Sequence, residues 1–140
     1  MAKAEGKRFP FDPPEKIRTD FLETFPYKGE KQLVEYTTHE FSAVCPFSGL
    51  PDYATLTVRY IPRNKCLELK SYKYYIVSFR NIGIYQEAAT DRIFKDLKKT
   101  LNPHYLFVET IYNTRGGIDS KCTIEWGKKP KKTLAKLKKI

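Results

Sequence analysis

The stretch Tyr85-Gln86-Glu87-Ala88-Ala89-Thr90-Asp91-Arg92-Ile93-Phe94-Lys95-Asp96-Leu97-Lys98-Lys99-Thr100-Leu101 decides the fold. Tyr85, Ala89, Ile93, Leu97 and Leu101 recur every four residues and so share one side of a helix. Asn102-Pro103 stops it, because proline lacks an N–H and disfavours helical geometry in the residue before it. Upstream, Tyr72, Tyr75, Ile76 and Phe79 predict a shorter helix over 72–79, broken by Asn81-Ile82-Gly83. Strand patterns flank this helical pair. Residues 54–61 alternate, with Ala54, Leu56, Val58 and Tyr60 on one face. Residues 32–44 read as one strand, with Leu33, Glu35, Thr37, His39, Phe41 and Ala43 facing one way and Val34, Tyr36, Thr38, Glu40, Ser42 and Val44 the other. Beyond the long helix, 105–112 and 121–126 form a second hairpin around Arg115-Gly116-Gly117. The order β-β-α-α-β-β predicts an α+β domain, an antiparallel sheet with two helices on one face. Its edge strands are long and aromatic, and such edges are usually covered, so pairing with neighbouring subunits is expected.

At 140 residues and 41% hydrophobic content the chain makes one domain with a real core. Residues 1–20 are polar and carry Pro10, Pro13 and Pro14, which predicts a loose arm; 19–25 has the pattern of a short helix. The domain is expected over 21–127, followed by a basic tail over 128–140. Of 26 basic residues, seven lie in that tail, leaving 19 against 16 acidic ones, so the net charge of +10 belongs mainly to the tail. No apolar run approaches the ~20 residues of a membrane span, and no apolar signal follows Met1, so a cytoplasmic protein without membrane partners is expected. Cys45, Cys66 and Cys122 are odd in number and widely spaced, which argues against a disulfide framework and fits a reducing compartment. His39 and His104 have no second ligand at metal spacing, so no metal is expected.

Several groups carry candidate chemistry. Cys45-Pro46-Phe47-Ser48-Gly49-Leu50-Pro51-Asp52 places a thiol and a carboxylate across a stiff turn. A nucleophile and an acid at the mouth of a strand suit covalent catalysis on a carbon electrophile; the alternative is a surface loop with a structural cysteine. In Glu68-Leu69-Lys70-Ser71-Tyr72-Lys73-Tyr74-Tyr75, Lys70 and Lys73 share one side of a helix and suit a diphosphate or 2′-phosphate, with Ser71 as expected N-cap. Solvated lysines on a capped amphipathic helix are the other reading. Arg115-Gly116-Gly117 is either a second anion site or a flexible hairpin turn. Gln86-Glu87 pairs an amide with a carboxylate that accepts from a guanine-like edge; an acid in the first helical turn also compensates the helix dipole. The lysine tail suits RNA or acidic surfaces, or is simply solvated, and it lacks the aromatics of a base-stacking surface.

Four motifs in order give a resemblance: Glu40-Phe41-Ser42-Ala43-Val44-Cys45-Pro46 with Gly49 and Pro51-Asp52, then 68–75 as quoted, then Ser78-Phe79-Arg80-Asn81, then Thr114-Arg115-Gly116-Gly117-Ile118. Together they resemble the type I NADPH-dependent 7-cyano-7-deazaguanine reductases, nitrile reductases of queuosine biosynthesis, over most of the chain. The resemblance implies a tunnelling fold, subunits joined edge to edge into a barrel, and a decamer of two stacked pentamers. It implies Cys45 as the nucleophile that forms a thioimide and Asp52 as the acid. It implies Glu87, Gln86 and Glu68 as contacts to the 7-deazaguanine ring. NADPH as co-substrate is implied, gripped by Lys70, Ser71, Lys73, Arg115 and Gly116. Some members of the family carry His before the substrate glutamate; Gln86 here cannot titrate near neutral pH, so it is assigned to binding. Two alternatives stand beside this reading. A zinc-dependent GTP cyclohydrolase-like enzyme of the same fold would want close Cys and His ligands, where Ser48 stands three residues after Cys45. An RNA-binding module driven by the tail would leave Cys45 and Asp52 unexplained.

Overall fold

A computed structural model of the chain describes residues 2–130. Of the tail expected over 128–140, residues 131–140 lie outside the described residues. Six strands and two α-helices form: β1 Thr24–Pro26, β2 Val34–Val44, β3 Pro51–Ile61, β4 Lys65–Leu67, α1 Leu69–Val77, α2 Gln86–Leu101, β5 Tyr105–Arg115 and β6 Ile118–Gly127. The main sheet is antiparallel in the order β2-β3-β5-β6, so β2 and β6 are its edges. The expected β-β-α-α-β-β frame is therefore present. β1 and β4 add a small antiparallel ladder, and the pattern of a short helix over 19–25 resolves into a 3-10 turn at Thr19–Phe21 followed by β1.

The alternation in β3 does what a half-buried strand requires. Ala54, Leu56, Val58 and Tyr60 are buried, and they meet Ala89, Ile93, Leu97 and Leu101 of α2 in one core with Tyr72, Tyr75 and Ile76 of α1. The opposite face of the sheet is polar: Thr37 and Thr57 hydroxyls pair at 3.2 Å, His39 meets Thr55, and Arg59 pairs with Glu35 while lying over the Phe107 ring. Helices thus occupy a single face.

β2 departs from the two-face reading. Thr38 pairs with Leu56 but Phe41 pairs with Ala54, so an extra residue is inserted as a β-bulge. The core side passes from Val34 and Tyr36 to Phe41 and Ala43. A strict alternation cannot anticipate that switch, because one inserted residue flips every later side chain.

α1 begins at Leu69, earlier than expected. Glu68, not Ser71, is its N-cap, accepting the backbone N–H groups of Lys70 (2.9 Å) and Ser71 (2.7 Å). α2 ends on Asn102, which takes a left-handed conformation at φ 45° before Pro103.

The segment expected as a loose arm over 1–20 is docked from Phe9 onward. Phe9 donates its N–H to Ser48 O at 3.0 Å, and Asp12 bonds the backbone of Asn81 and Gly83. The Phe11 ring lies so close to Gly83 that a Cβ there would overlap it. Ile17 is only 5% exposed and belongs to the core. Asp96 of α2 collects the Tyr75 hydroxyl (2.7 Å), the Thr19 hydroxyl (3.1 Å) and the Arg92 guanidinium (2.9 Å), and Arg92 also donates to Pro14 O. Pro14 opens a short 3-10 turn over Pro14–Lys16, where its fixed φ limits the freedom the chain loses on docking.

Candidate active site

Cys45 follows β2 directly. Pro46 cannot donate to a ladder, so the chain turns there. The turn closes through Cys45 N–H to Leu50 O (2.9 Å) and Gly49 N–H to Cys45 O (2.8 Å), with Gly49 at φ 72°. This aims the backbone N–H groups of Ser48 and Phe47 at the Cys45 sulfur. They hold the thiol below its ordinary range, against the opposing effect of partial burial, and the Ser48 hydroxyl and the nearby Arg115 charge act in the same direction.

Asp52 is the second residue of β3 and lies opposite Ala43 of β2. It shares the inward face with Ala54 and Leu56, which leaves it 7% exposed. Arg115, the last residue of β5, forms an ion pair with its Oδ1, and no hydrogen bond reaches that oxygen. The structure therefore brings Cys45, Asp52 and Arg115 together. Sequence reasoning placed Arg115 on phosphate and missed this pairing. The signal lies in the register: Ala54 pairs with Tyr112, so residues just before Ala54 meet residues just after Tyr112.

α2 starts beside the same loop. Val44 donates to Ile82 O (2.9 Å) and accepts from Ile84 N–H (3.1 Å), which sets Tyr85 against Phe47, ring centroids 6.0 Å apart. Glu87 stands exposed in the first turn of α2. The Gln86 amide oxygen accepts the Ser120 hydroxyl at 2.7 Å. Tyr112, paired with both Ala54 and Ser120, sits near Cys122 and Glu87; burial first, then those two neighbours, pushes its phenol well above the ordinary range. Tyr112, Ser120 and the Phe47–Tyr85 pair are additions that the sequence did not flag.

The Glu68–Tyr75 motif lies elsewhere in the chain. It borders an open groove of ≈ 1020 Å³ between β2 and α1, lined by Tyr36, Glu40, Glu68, Lys70, Tyr72 and Lys73 among others. Cys45, Asp52, Glu87 and Arg115 do not line it. Lys70 and Lys73 are exposed. Ser71 is 6% exposed; its hydroxyl donates to Glu68 O (2.7 Å) and accepts the Glu23 N–H (2.9 Å), tying α1 to the chain before β1. The Tyr72 hydroxyl is buried without a partner. The exposed ammonium groups of Lys73 and of Lys70, which lies 6.0 Å from the Tyr74 ring centroid, fit a phosphate-rich ligand on the groove wall. Gly116 and Gly117 (φ 58° and 75°) make the two-residue hairpin turn after Arg115, with open space around both. Among the described residues no group of three His, Cys, Asp or Glu is placed to hold a metal, and no helix is long and apolar enough to cross a membrane.

Comparison with known proteins agrees with this α+β arrangement. The profile of the family described as "QueF-like protein" matches residues 51–131, which takes in Asp52, the 68–75 motif, Glu87 and Arg115 but not Cys45. The crystal structure of the archaeosine synthase QueF-Like in the apo form superposes with a TM-score of 0.66 at 27% identity, covering 73% of this chain and 100% of that one. Relatives named NADPH-dependent 7-cyano-7-deazaguanine reductase align at higher identity. Those of Thermotoga petrophila and Thermotoga maritima are each 53% identical over 128 residues, 91% of this chain and 92% of theirs. That of Caldicellulosiruptor bescii is 48% identical over 128 residues, 90% of this chain and 98% of its own. The chain belongs to this QueF-like family of 7-cyano-7-deazaguanine reductases.

Proposed function

We propose that this chain reduces the nitrile of 7-cyano-7-deazaguanine to an aminomethyl group, consuming two NADPH through a Cys45 thioimide, in queuosine tRNA-modification biosynthesis. The observation that carries the reading is the polarised Cys45 thiol beside Asp52, at the end of the sheet where α2 presents Glu87. Family membership adds the substrate, since the relatives carry that name.

A nitrile carbon accepts a thiolate, and the Phe47 and Ser48 N–H groups favour that form of Cys45. As the S–C bond forms, Asp52 passes the thiol proton to the nitrile nitrogen. Glu87 and Gln86 hold the ring, Glu87 accepting from its N–H groups. Glu68 lies apart from Glu87 within one chain and reaches the ring from across a subunit contact; its carboxylate has about four lone-pair sites, of which the α1 cap occupies two. Each reduction needs a hydride, which NADPH supplies from its nicotinamide when bound. In the first, hydride adds to the thioimide carbon and Asp52 protonates nitrogen; Cys45 then leaves with the S–C electron pair, nitrogen returns one proton to the Asp52 carboxylate, and an imine remains, whose carbon takes the second hydride while Asp52 protonates nitrogen. The two sets of cofactor-binding groups lie apart within one chain, so Lys70 and Lys73 on one side of a subunit contact and Arg115 and the Gly116 backbone on the other would grip the cofactor phosphates, while Ser71 shapes the helix that carries the lysines.

The working form is a cytoplasmic homo-oligomer in the tunnelling fold. Residues 21–127 form the catalytic unit, and the β2 and β6 edges join neighbours into a barrel, two pentamers stacking as a decamer. Incubation with 7-cyano-7-deazaguanine and NADPH tests the activity: two NADPH should be oxidised per nitrile. Substrate alone should leave an adduct on wild type by intact mass and none on Cys45→Ala. No oxidation above background, or an adduct that survives in Cys45→Ala, defeats the reading.

A further inference from the structure

We propose that Arg115 is a displaceable counter-ion: it keeps Asp52 ionised in the free protein, and a phosphate-bearing ligand draws it away so that Asp52 takes up a proton. The inference rests on the reductase reading above and deepens it.

The geometry leaves Asp52 dependent on one partner. It is 7% exposed, and its Oδ1 has the Arg115 ion pair and no hydrogen bond. Burial disfavours a charged carboxylate and an adjacent cation favours it. Without the guanidinium, Asp52 would be a buried charge with an unpartnered oxygen. Such a group neutralises by binding a proton.

Arg115 is placed to move. Its side chain is 48% exposed, and Asp52 is its single ion-pair partner among the described residues. It follows a break in the β5–β6 register between Tyr112 and Arg115 and precedes the Gly116–Gly117 turn. The titratable groups at this end of the sheet are Cys45 after β2, Arg115 of β5, Asp119 of β6, which is held by the Thr114 hydroxyl and forms no ion pair with Arg115, and, one step further, Tyr112 with Cys122 of β6 and Glu87 of α2. Withdrawing Arg115 removes one favourable charge from Cys45 but leaves the Phe47 and Ser48 N–H groups in place.

The reaction needs Asp52 in both states. During thiol addition it must accept the proton of Cys45, so it must start as a carboxylate. During each reduction, hydride goes to carbon and the proton of Asp52 goes to nitrogen, which returns Asp52 to the carboxylate. Displacement of Arg115 by cofactor phosphate would load the acid at the step that uses it.

NADP+ binding tests this without turnover. Calorimetry in two buffers of different ionisation heat, at one neutral pH, reads protons taken up per bound NADP+. Wild type should take up a proton approaching one per site, and Asp52→Asn should bind with none. Arg115→Gln should bind more weakly and without uptake, because Asp52 is already neutral; Arg115→Lys should restore uptake. A second measurement needs no ligand. The carbon-13 carboxyl resonance of Asp52, assigned by its loss in Asp52→Asn, should titrate at higher pH in Arg115→Gln than in wild type. NADP+ binding without proton uptake, or an unmoved carboxyl titration in Arg115→Gln, overturns the counter-ion. A protein that does not bind NADP+ at all overturns the cofactor reading and the switch together.

Discussion

Gly49→Ala probes how the thiol loop is built. Gly49 holds φ 72°, a left-handed conformation that costs a residue with a Cβ about 1–2 kcal/mol. A Cβ at this position would also overlap the Phe9 carbonyl oxygen and stand 3.0 Å from its carbon. Phe9 would have to retreat and give up its 3.0 Å hydrogen bond to Ser48 O, worth roughly 1 kcal/mol. The sum is a loss of roughly 2–3 kcal/mol in urea denaturation. Gly116→Ala supplies the comparison: φ is 58°, but nothing lies within 4 Å, so only the torsional part applies. The second readout is the pH dependence of Cys45 alkylation by chloroacetamide. The folded loop depresses the thiol's pKa, so wild type should react at lower pH than a free thiol. In Gly49→Ala the Phe47 and Ser48 N–H groups are no longer held on the sulfur, and the reaction midpoint should move up. If Gly49→Ala costs no more than Gly116→Ala and alkylates with the wild-type profile, the loop does not polarise Cys45 as described.

Asp96→Ala should destabilise the fold by about 2–3 kcal/mol in urea, because the buried Tyr75 hydroxyl and the Arg92 guanidinium both lose their acceptor; limited proteolysis should then cut within the docked N-terminal segment. Glu68→Ala should lower the urea midpoint at neutral pH by uncapping α1. The Lys70 and Ser71 N–H groups depress the Glu68 carboxyl in the fold, so its contribution is present above the unfolded-state value and fades as pH falls through the folded one. The two midpoints should converge in acid. Lys70→Ala and Lys73→Ala should each weaken NADP+ binding about tenfold, with a shallower salt dependence, if each ammonium makes one charge-assisted contact to phosphate.

The long helix and β3 were legible because each buries one face with an unbroken period, and periodicity is local information. The β2 bulge was not, because its signal is a pairing between strands: two residues oppose Thr55 where the pattern allowed one. The docked arm was hidden for a related reason. Prolines and charges read as solvent-facing chain, while the partners that hold it, Asn81, Gly83 and Asp96, lie about seventy residues or more away. Cys45 and Asp52 could be singled out from their own loop. Their coupling to Arg115 required the β3–β5 register, and the cap at Glu68 required knowing where α1 begins.

The two reactive groups are stabilised by different kinds of partner, and this governs what each can do. Cys45 leans on main-chain N–H groups from its own turn, fixed by Gly49 and by backbone bonds to Leu50. Those donors cannot leave without unfolding the loop, so the thiol's reactivity is a constant of the fold. Asp52 leans on a long side chain at a glycine hairpin, half in solvent. That partner can be competed away by another anion while the sheet stays intact. A nucleophile that must be ready whenever substrate arrives suits the first arrangement. An acid that must change charge within one catalytic cycle suits the second. Exchanging the supports would defeat both: a thiolate held by a mobile cation would fade on cofactor binding, and a carboxylate held by fixed N–H groups would never take up its proton.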